Sequence, residues 1–508
     1  MKKLACILLL ATCTLAGMAQ TLLTINGKDI SYQEFEYYYQ KNNHNQAQNI
    51  SREDYLEMFV DFKLKVEEAY VQQYDTASSF QQELNGYRNQ LIGPYLTDTL
   101  KRNELTKEAY QRLLEEVETS HILVAINNPA DADAALKRAK DIRKRLKKSN
   151  FASLAKEFSE DPSAQENNGY LGYATGGSYV YPFETAAYSL KKGQISQPVK
   201  TAFGYHLIML HNKRPANGEI RVAHIFKRKP MQADSATLAN IKAEVYNIYQ
   251  QATEGANFAT LARKYSEDGS AAQGGELPWI SVGNTNATFE EAAFALNAEN
   301  RLSQPIEADY GWHIIYLLEK RPIRPFEFYK ADLQRRVTMD ERRRIIQQSF
   351  IEQLKKEYNF KWGKKDIVAT FADQTLTQTD YQQFLQETAH GADSLEQYIY
   401  TRMITYENNH LETKYPTFGL LMNEYREGIL LFNICNDLIW SKASKDTEGL
   451  KAFFAEHKED YPANFTHAKG PVINDYQMWL EKQWVQQLRE KYTVTIHYDV
   501  LNSHPWNK

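Results

Sequence analysis

The apolar run Leu22–Ile25 followed by Asn26-Gly27 predicts a short strand ending in a turn. Ser31-Tyr32-Gln33-Glu34 then has the Ser-x-x-Glu form of a capping box, which opens an aromatic-rich helix through Tyr39. Over 52–73, 79–102 and 107–117 apolar residues return every three or four positions, the period of amphipathic helices. A similar plan appears near the other end. Thr370 to Tyr381 follows the pattern of Thr24 to Phe35, with Thr377 and Asp380 in the cap positions. One long charged helix is expected over 326–358, further helices over 395–408, 422–441, 448–457 and 473–491, and an alternating strand over 494–498.

Between these helical regions the chain repeats itself. Ser120-His121-Ile122-Leu123-Val124 opens a series that continues through Asn150-Phe151-Ala152-Ser153-Leu154-Ala155, Ser159-Glu160-Asp161, Phe183-Glu184, Ser196-Gln197-Pro198 and Gly204-Tyr205-His206-Leu207-Ile208, closing on Lys213-Arg214-Pro215. The same order returns as Ala223-His224-Ile225-Phe226, Asn257-Phe258-Ala259-Thr260-Leu261-Ala262, Ser266-Glu267-Asp268, Phe289-Glu290, Ser303-Gln304-Pro305, Gly311-Trp312-His313-Ile314-Ile315 and Lys320-Arg321-Pro322. Agreement at so many separated positions marks two copies of one domain. The expected organisation is a helical lobe over 20–118, repeats over 119–215 and 219–322, and a C-terminal helical lobe with a closing strand over 323–508. In the simplest assembly the two lobes pack together, with the repeats inserted between them.

Composition narrows the function classes. The 508 residues are 43% hydrophobic and 24% charged, as in a globular protein large enough for several cores. A net charge of −4 with no basic run argues against nucleic-acid partners. Met1-Lys2-Lys3, the apolar stretch 4–15 and the small residues Gly17 and Ala19 read as a secretory signal cleaved after Ala19, which implies export. A lipoprotein signal at Cys13 fits less well, because Thr12 precedes the cysteine. Removal of the signal takes Cys6 and Cys13 and leaves Cys435 alone, so no intramolecular disulfide is expected. No later stretch is apolar for long enough to insert stably in a membrane. The histidines lack ligand spacing and no phosphate-binding or nucleophile-elbow motif is present, so neither a metal nor another cofactor is expected.

The His-Ile-Leu opening, Phe-Ala-x-Leu-Ala, Ser-Glu-Asp, Gly-x-Leu-Gly, Phe-Glu and Gly-Tyr-His-Leu-Ile together resemble the parvulin, or PpiC-type, peptidyl-prolyl isomerases. Two such domains between strand–helix lobes after a signal resemble the SurA-like periplasmic chaperones. The resemblance implies an α+β fold with two tandem FKBP-like domains, a periplasmic location, and unfolded clients bearing X-Pro bonds, outer-membrane protein precursors among them. It carries the catalytic positions to His121, Asp161 and His206, and the substrate-binding positions to Leu171, Tyr179, Phe183, Thr201 and Phe203. Counterparts in the second repeat are His224, Asp268, Leu277, Phe289 and His313. Departures from the family pattern are Tyr179, where methionine is common, and, in the second repeat, Thr285 at that same place with Pro278 after Leu277. These favour the first repeat as the active one.

Plainer readings stand beside these. A strand histidine is by itself more often a core residue than a catalytic one. Asp161-Pro162-Ser163 is turn chemistry, so the aspartate could form a turn or serve the site. Tyr37-Tyr38-Tyr39 could pack a helix or line a client cradle. Two functions follow: a prolyl isomerase that acts on unfolded chains, or a holdase whose repeats bind peptide without catalysis.

Overall fold

The structure is a computed structural model and describes residues 20–43, 50–387, 394–461 and 464–503; the expected signal over 1–19 lies outside them. Two compact units form. One takes the chain up to Leu96 with Lys365–Val368 and Leu376 onward, the other Thr97–Lys364 with Ala369–Thr375. The second unit thus takes in helices on either side of the repeats as well as the repeats themselves. No helix among the described residues is long and apolar enough to cross a membrane.

In the first unit the strand Thr21–Ile25 pairs on one edge with Lys28–Ser31 and on the other with Val494–Ile496 from the far end of the chain, Leu23 lying opposite Ile496. Leu22, Leu23, Phe35, Leu56, Phe59 and Leu64 share one core with Leu488, Tyr492 and Leu501. Both ends of the chain thus build one core. Of the two readings of the tyrosine cluster, helix packing fits Tyr38 and Tyr39, which are buried; the Tyr38 hydroxyl donates to Glu427 at 3.0 Å and that of the half-buried Tyr37 to Glu424 at 2.7 Å. The two capping boxes differ. Thr377 and Asp380 bond reciprocally, whereas Glu34 N donates to Ser31 Oγ while the Glu34 carboxylate turns to Lys63 and Asn423.

In the second unit the helix Thr99–Leu113 packs against Phe326–Met339 and Arg342–Glu357 through Leu105, Ala109, Leu333, Val337 and Ile346. Expected helix bounds shift here for local reasons. Gly93-Pro94 cuts the expected 79–102 helix into Ser78–Leu91 and Thr99–Leu113, the latter capped by Asp98 accepting from Lys101 N. The expected 326–358 helix breaks at Asp340, whose carboxylate accepts from Arg342 N and starts a new helix. Beyond the closing strand, which ends at Ile496, the chain turns into the helix Tyr498–Ser503.

Each repeat is a four-stranded antiparallel sheet with helices on both faces. The first has the strand order Tyr170–Thr175, Glu115–Ala125, Gly204–Pro215, Val199–Thr201; the second repeats it as Ile280–Ser281, Glu219–Arg228, Gly311–Arg321, Ile306–Ala308. Strand side chains alternate between faces. Ile122, Val124, Leu207 and Met209 therefore pack on the helices Ala132–Arg145 and Phe151–Phe158, while Val117, Ile208 and Leu210 pack on Tyr181–Ser189. His121 and His206 stand on the second face, beside Phe183 of that helix.

Candidate active site

The two central strands of the first repeat place His206 opposite Leu123 and His121 opposite Ile208, so the histidines are diagonal neighbours across the ladder. Their rings stack with centroids 5.4 Å apart and planes 16° from parallel, and both meet the edge of Phe183. Nδ1 of His121 lies 3.2 Å from Nδ1 of His206. Outward from this pair, His121 Nε2 is 2.9 Å from Asp161 Oδ2 and His206 Nε2 is 2.9 Å from Thr201 Oγ1.

Proton positions follow from the ends of this run. Partial burial pushes the Asp161 carboxyl up, but bonds from the Ser163 hydroxyl and N–H and the neighbouring His121 outweigh it and hold the group below the usual carboxylate range. Ionised, Asp161 can only accept, so His121 Nε2 carries a proton and donates it. Burial lowers the His121 pKa despite Asp161, and burial with the neighbouring His121 lowers that of His206 to about 4, so both rings are neutral near pH 7. His121 Nδ1 then accepts from His206 Nδ1–H, and His206 Nε2 accepts from the Thr201 hydroxyl. Thr201 Oγ1 in turn accepts from the backbone N–H of Phe203 at 3.1 Å. Each ring is thereby fixed in one tautomer and orientation.

The two oxygens of Asp161 have different partners. Oδ1 accepts from Ser163 N at 2.9 Å and Ser163 Oγ at 2.8 Å and makes the turn, leaving Oδ2 for His121. Beneath His121, Gly169 has φ +76°, and a Cβ there would stand 2.4 Å from the His121 carbonyl oxygen; the close approach lets His121 N donate to Gly169 O. Leu171, Tyr179 and Phe183 belong to one apolar cluster, the Tyr179 ring 4.7 Å from Phe183. Phe203 is not part of that floor: it is 61% exposed at the turn between the edge strand Val199–Thr201 and the central strand Gly204–Pro215.

The second repeat brings His224 and His313 together in the same stacked pair, Nδ1 to Nδ1 at 3.3 Å, against Phe289, with Leu277 in the adjoining cluster. Both ends of the run differ. Asp268 Oδ1 lies 3.2 Å from His224 Nε2, yet that same oxygen already accepts from Ser270 N and Oγ, and His224 Nε2 finds no aligned hydrogen bond. At the other end Ala308 pairs with Gly311 as Thr201 pairs with Gly204, so the hydroxyl that anchors His206 has no equivalent beside His313. Thr285 is exposed; its N–H donates to Glu290.

Several residues that shape the site escaped the motif reading. Glu184, buried, accepts from Gly177 N at 2.6 Å and from Arg112 Nη1 at 3.0 Å, and so fixes the loop that carries Tyr179; Glu290 accepts from Gly283 N at 2.8 Å in the second copy. The repeated Phe-Glu pair was the available signal. The Thr201/Ala308 difference was equally visible, at the third residue before each Gly-Tyr-His and Gly-Trp-His.

Comparison with known proteins agrees with the duplicated geometry. The family model described as Rotamase, PPIC-type PPIASE domain, matches residues 121–212 and again 224–319. Among curated proteins the chain is 32% identical over 236 residues to Chaperone SurA of Methylobacillus flagellatus, covering 45% of this chain and 52% of that one. To Chaperone SurA of Pseudomonas fluorescens it is 32% identical over 41% of this chain and 50% of the other. The chain thus spans about half the length of the curated relatives it matches. Among solved structures it is similar to NmPin, the parvulin of Nitrosopumilus maritimus, at 38% identity over 19% of this chain and 97% of that chain, TM-score 0.17. It is also similar to one from a study of SurA-like chaperones in Campylobacter jejuni, at 27% identity over 39% and 83%, TM-score 0.18.

Proposed function

Because two stretches of the chain, 121–212 and 224–319, match the PpiC-type rotamase, or parvulin, domain, we propose that it is a periplasmic folding factor. In this reading it isomerises X-Pro bonds in unfolded or partly folded exported polypeptides, outer-membrane protein precursors among them, and its first repeat carries most of the activity. The observation that carries this reading is the continuous run Asp161–His121–His206–Thr201 under Phe183; in the second repeat the threonine end is missing and the aspartate end is longer, Asp268 standing 3.2 Å from His224.

Rotation about an X-Pro bond must break amide resonance, a barrier of about 18–20 kcal/mol. No bond to the enzyme is needed, only a site that binds the twisted amide better than either planar form. Leu171, Phe183 and Tyr179 would take the prolyl ring, and their low polarity disfavours the charge-separated planar amide. Neutral, orientation-locked histidines supply a polar floor that need not reorganise as the carbonyl sweeps past. The ionised Asp161, at the exposed end of the run, would sit beside that moving carbonyl and bias the amide against its planar, charge-separated form. The holdase reading keeps one specific support: the Tyr179 ring lies close over Phe183 and narrows the slot a proline would enter.

The deciding measurement is the protease-free cis-to-trans rate of a short X-Pro peptide with the mature protein, Asp161→Ala and Asp268→Ala. Acceleration lost with Asp161→Ala and kept with Asp268→Ala is the expected result. The reverse pattern would move activity to the second repeat, and no acceleration by folded wild type would leave the holdase.

A further inference from the structure

The loop that carries Tyr179 in the first repeat is anchored through successive backbone N–H groups. Gly176 N donates to the Arg112 carbonyl at 3.3 Å, Gly177 N to the Glu184 carboxylate at 2.6 Å, and Thr175 N to the carbonyl of Val282 at 3.1 Å. The last of these acceptors belongs to the other repeat, and both repeats lie in the second unit. Thr175 ends an edge strand and pairs with Glu116 in its own sheet. Its N–H faces out of that ladder and finds its acceptor in Val282.

The segments that meet here are counterparts in the two repeats. Gly283 corresponds to Gly177, each standing 7 residues before the glutamate, Glu290 or Glu184, that accepts from its N–H. In the second repeat Thr285 takes the place of Tyr179 and is exposed, so this loop builds no apolar wall of its own. It packs instead on the first repeat: a Cβ on Gly283 would stand 2.9 Å from both Cα and Cβ of Ala174 and 3.3 Å from Ser178 Oγ. A φ of +92° already favours glycine at this turn, and the contact with the Ala174 backbone is a second, independent demand for it. At Gly177 a Cβ would meet the end of the Arg336 side chain at 3.2 Å, which can move aside. Ala174 and Val282 are both buried at the contact, and Ser178 leads directly into Tyr179, whose ring lies on Phe183.

We propose that Gly283, with the Val282 carbonyl, positions the first repeat's substrate slot: the loop that is a slot wall in the first repeat serves in the second as a brace for that wall. The proposal deepens the isomerase reading, on which it rests for what the slot binds. It gives the second repeat a part in the reaction that needs none of the chemistry of His224 and His313.

The test uses the mature full-length protein with Asp268→Ala as background, so that the first repeat is read alone, and follows kcat and KM for a short X-Pro peptide. Gly283→Ala drives a methyl group into Ala174. Gly255→Ala is the matched control: Gly255 lies in the same repeat at φ +97° with nothing within 4 Å of a Cβ, so it carries the backbone strain without the collision. Expected results are a rise in KM of about fivefold with little change in kcat for Gly283→Ala, no rise for Gly255→Ala, and no further rise when Gly283→Ala is added to Tyr179→Ala. An unchanged KM in Gly283→Ala, an equal rise in Gly255→Ala, or additive effects with Tyr179→Ala would each overturn the proposal. Thr175→Pro removes the contact from the other side, at an edge position whose N–H lies outside the ladder; it should reproduce the rise where Gly283→Ala does not fold, and a wild-type KM there would count equally against the brace. Absence of X-Pro acceleration by wild type would defeat the isomerase reading by itself. The brace is then read by hydrogen exchange: residues 173–181 should lose protection in Gly283→Ala and keep it in Gly255→Ala, and equal protection in the two would sink the proposal.

Discussion

Thr201 and Ala308 occupy the same place in matching ladders, each paired with the glycine that opens a histidine strand, and one hydroxyl separates them. Without it, His313 loses the donor that fixes its outer nitrogen. Thr201→Ala should therefore slow X-Pro isomerisation by up to about tenfold, the worth of one ordinary hydrogen bond, with little change in melting temperature. Ala308→Thr, measured in an Asp161→Ala background, should raise the residual rate; no change in either variant would separate the hydroxyl from catalysis. A second expectation concerns pH. Burial lowers His206 and His313 from 6.5 to about 4, so the folded state excludes protons that the unfolded chain accepts. This stability is fully present above pH 6.5 and is lost as pH falls toward 4. Each shift is worth on the order of 3 kcal/mol. The rate should stay flat between pH 8 and about 6.5, and thermal scans should show the repeats weakening below it. A His206→Gln, His313→Gln double variant should flatten that slope; an equal slope would place the pH dependence elsewhere.

Glu184 ties three elements together: the helix that bears Phe183, the loop that bears Tyr179, and Arg112 at the end of Thr99–Leu113. Glu184→Ala would leave Arg112 buried with only the Glu108 carboxylate and the Thr185 hydroxyl, and Gly177 N without its acceptor. A loss of about 3 kcal/mol in folding stability is expected, with a rise in KM exceeding any fall in kcat, because the loop shapes the slot proposed for the prolyl ring. A melting temperature equal to wild type would mean the loop is held by other contacts. At this scale the sequence was most legible where duplication doubled the signal. The repeated serines do the same structural work in both copies: Ser159 and Ser266 accept from Leu123 N and Phe226 N, and Ser196 and Ser303 from Ile208 N and Ile315 N. Paired histidines and the aspartates were legible for the same reason. Harder to read were contacts made by residues with no counterpart motif, such as Arg112, and helix ends set by one Gly-Pro or one aspartate inside a periodic run. Periodicity reports which face is buried and says little about where a helix stops. The tyrosine cluster stayed open between two readings because an amphipathic ring suits a binding surface and a core equally until its hydroxyl partner is known.

At the scale of the whole molecule, the first unit is held by groups far apart in sequence. Lys63 is buried and donates to both oxygens of Glu427, at 2.5 and 2.7 Å, and to Glu34, while Tyr38 donates to Glu427 and Asn423 to Glu34. One cation thus faces two carboxylates in a nearly dry site. Burial raises the Glu427 pKa while Lys63 opposes it. Lys63→Met removes the only cation among these five residues, and should cost about 3–5 kcal/mol, since breaking a buried pair leaves an uncompensated charge. With Lys63 gone the Glu427 pKa should rise further. The folded state then holds a proton that the unfolded chain releases, so the variant should regain stability as pH is lowered and lose it as pH rises, the reverse of the trend expected of the buried histidines. Adding Glu427→Gln should restore part of the loss at pH 7 by removing the stranded charge and keeping an acceptor for Tyr38. The repeats belong to the other unit and should keep their X-Pro rate below the melting point of the variant. Hydrogen exchange followed by peptide mass spectrometry reads both units at once: protection should fall in Thr21–Ile25, Arg52–Val71 and Pro416–Cys435 and hold in Glu115–Ala125 and Gly204–Pro215. Protection lost across both sets would mean that the two units unfold as one.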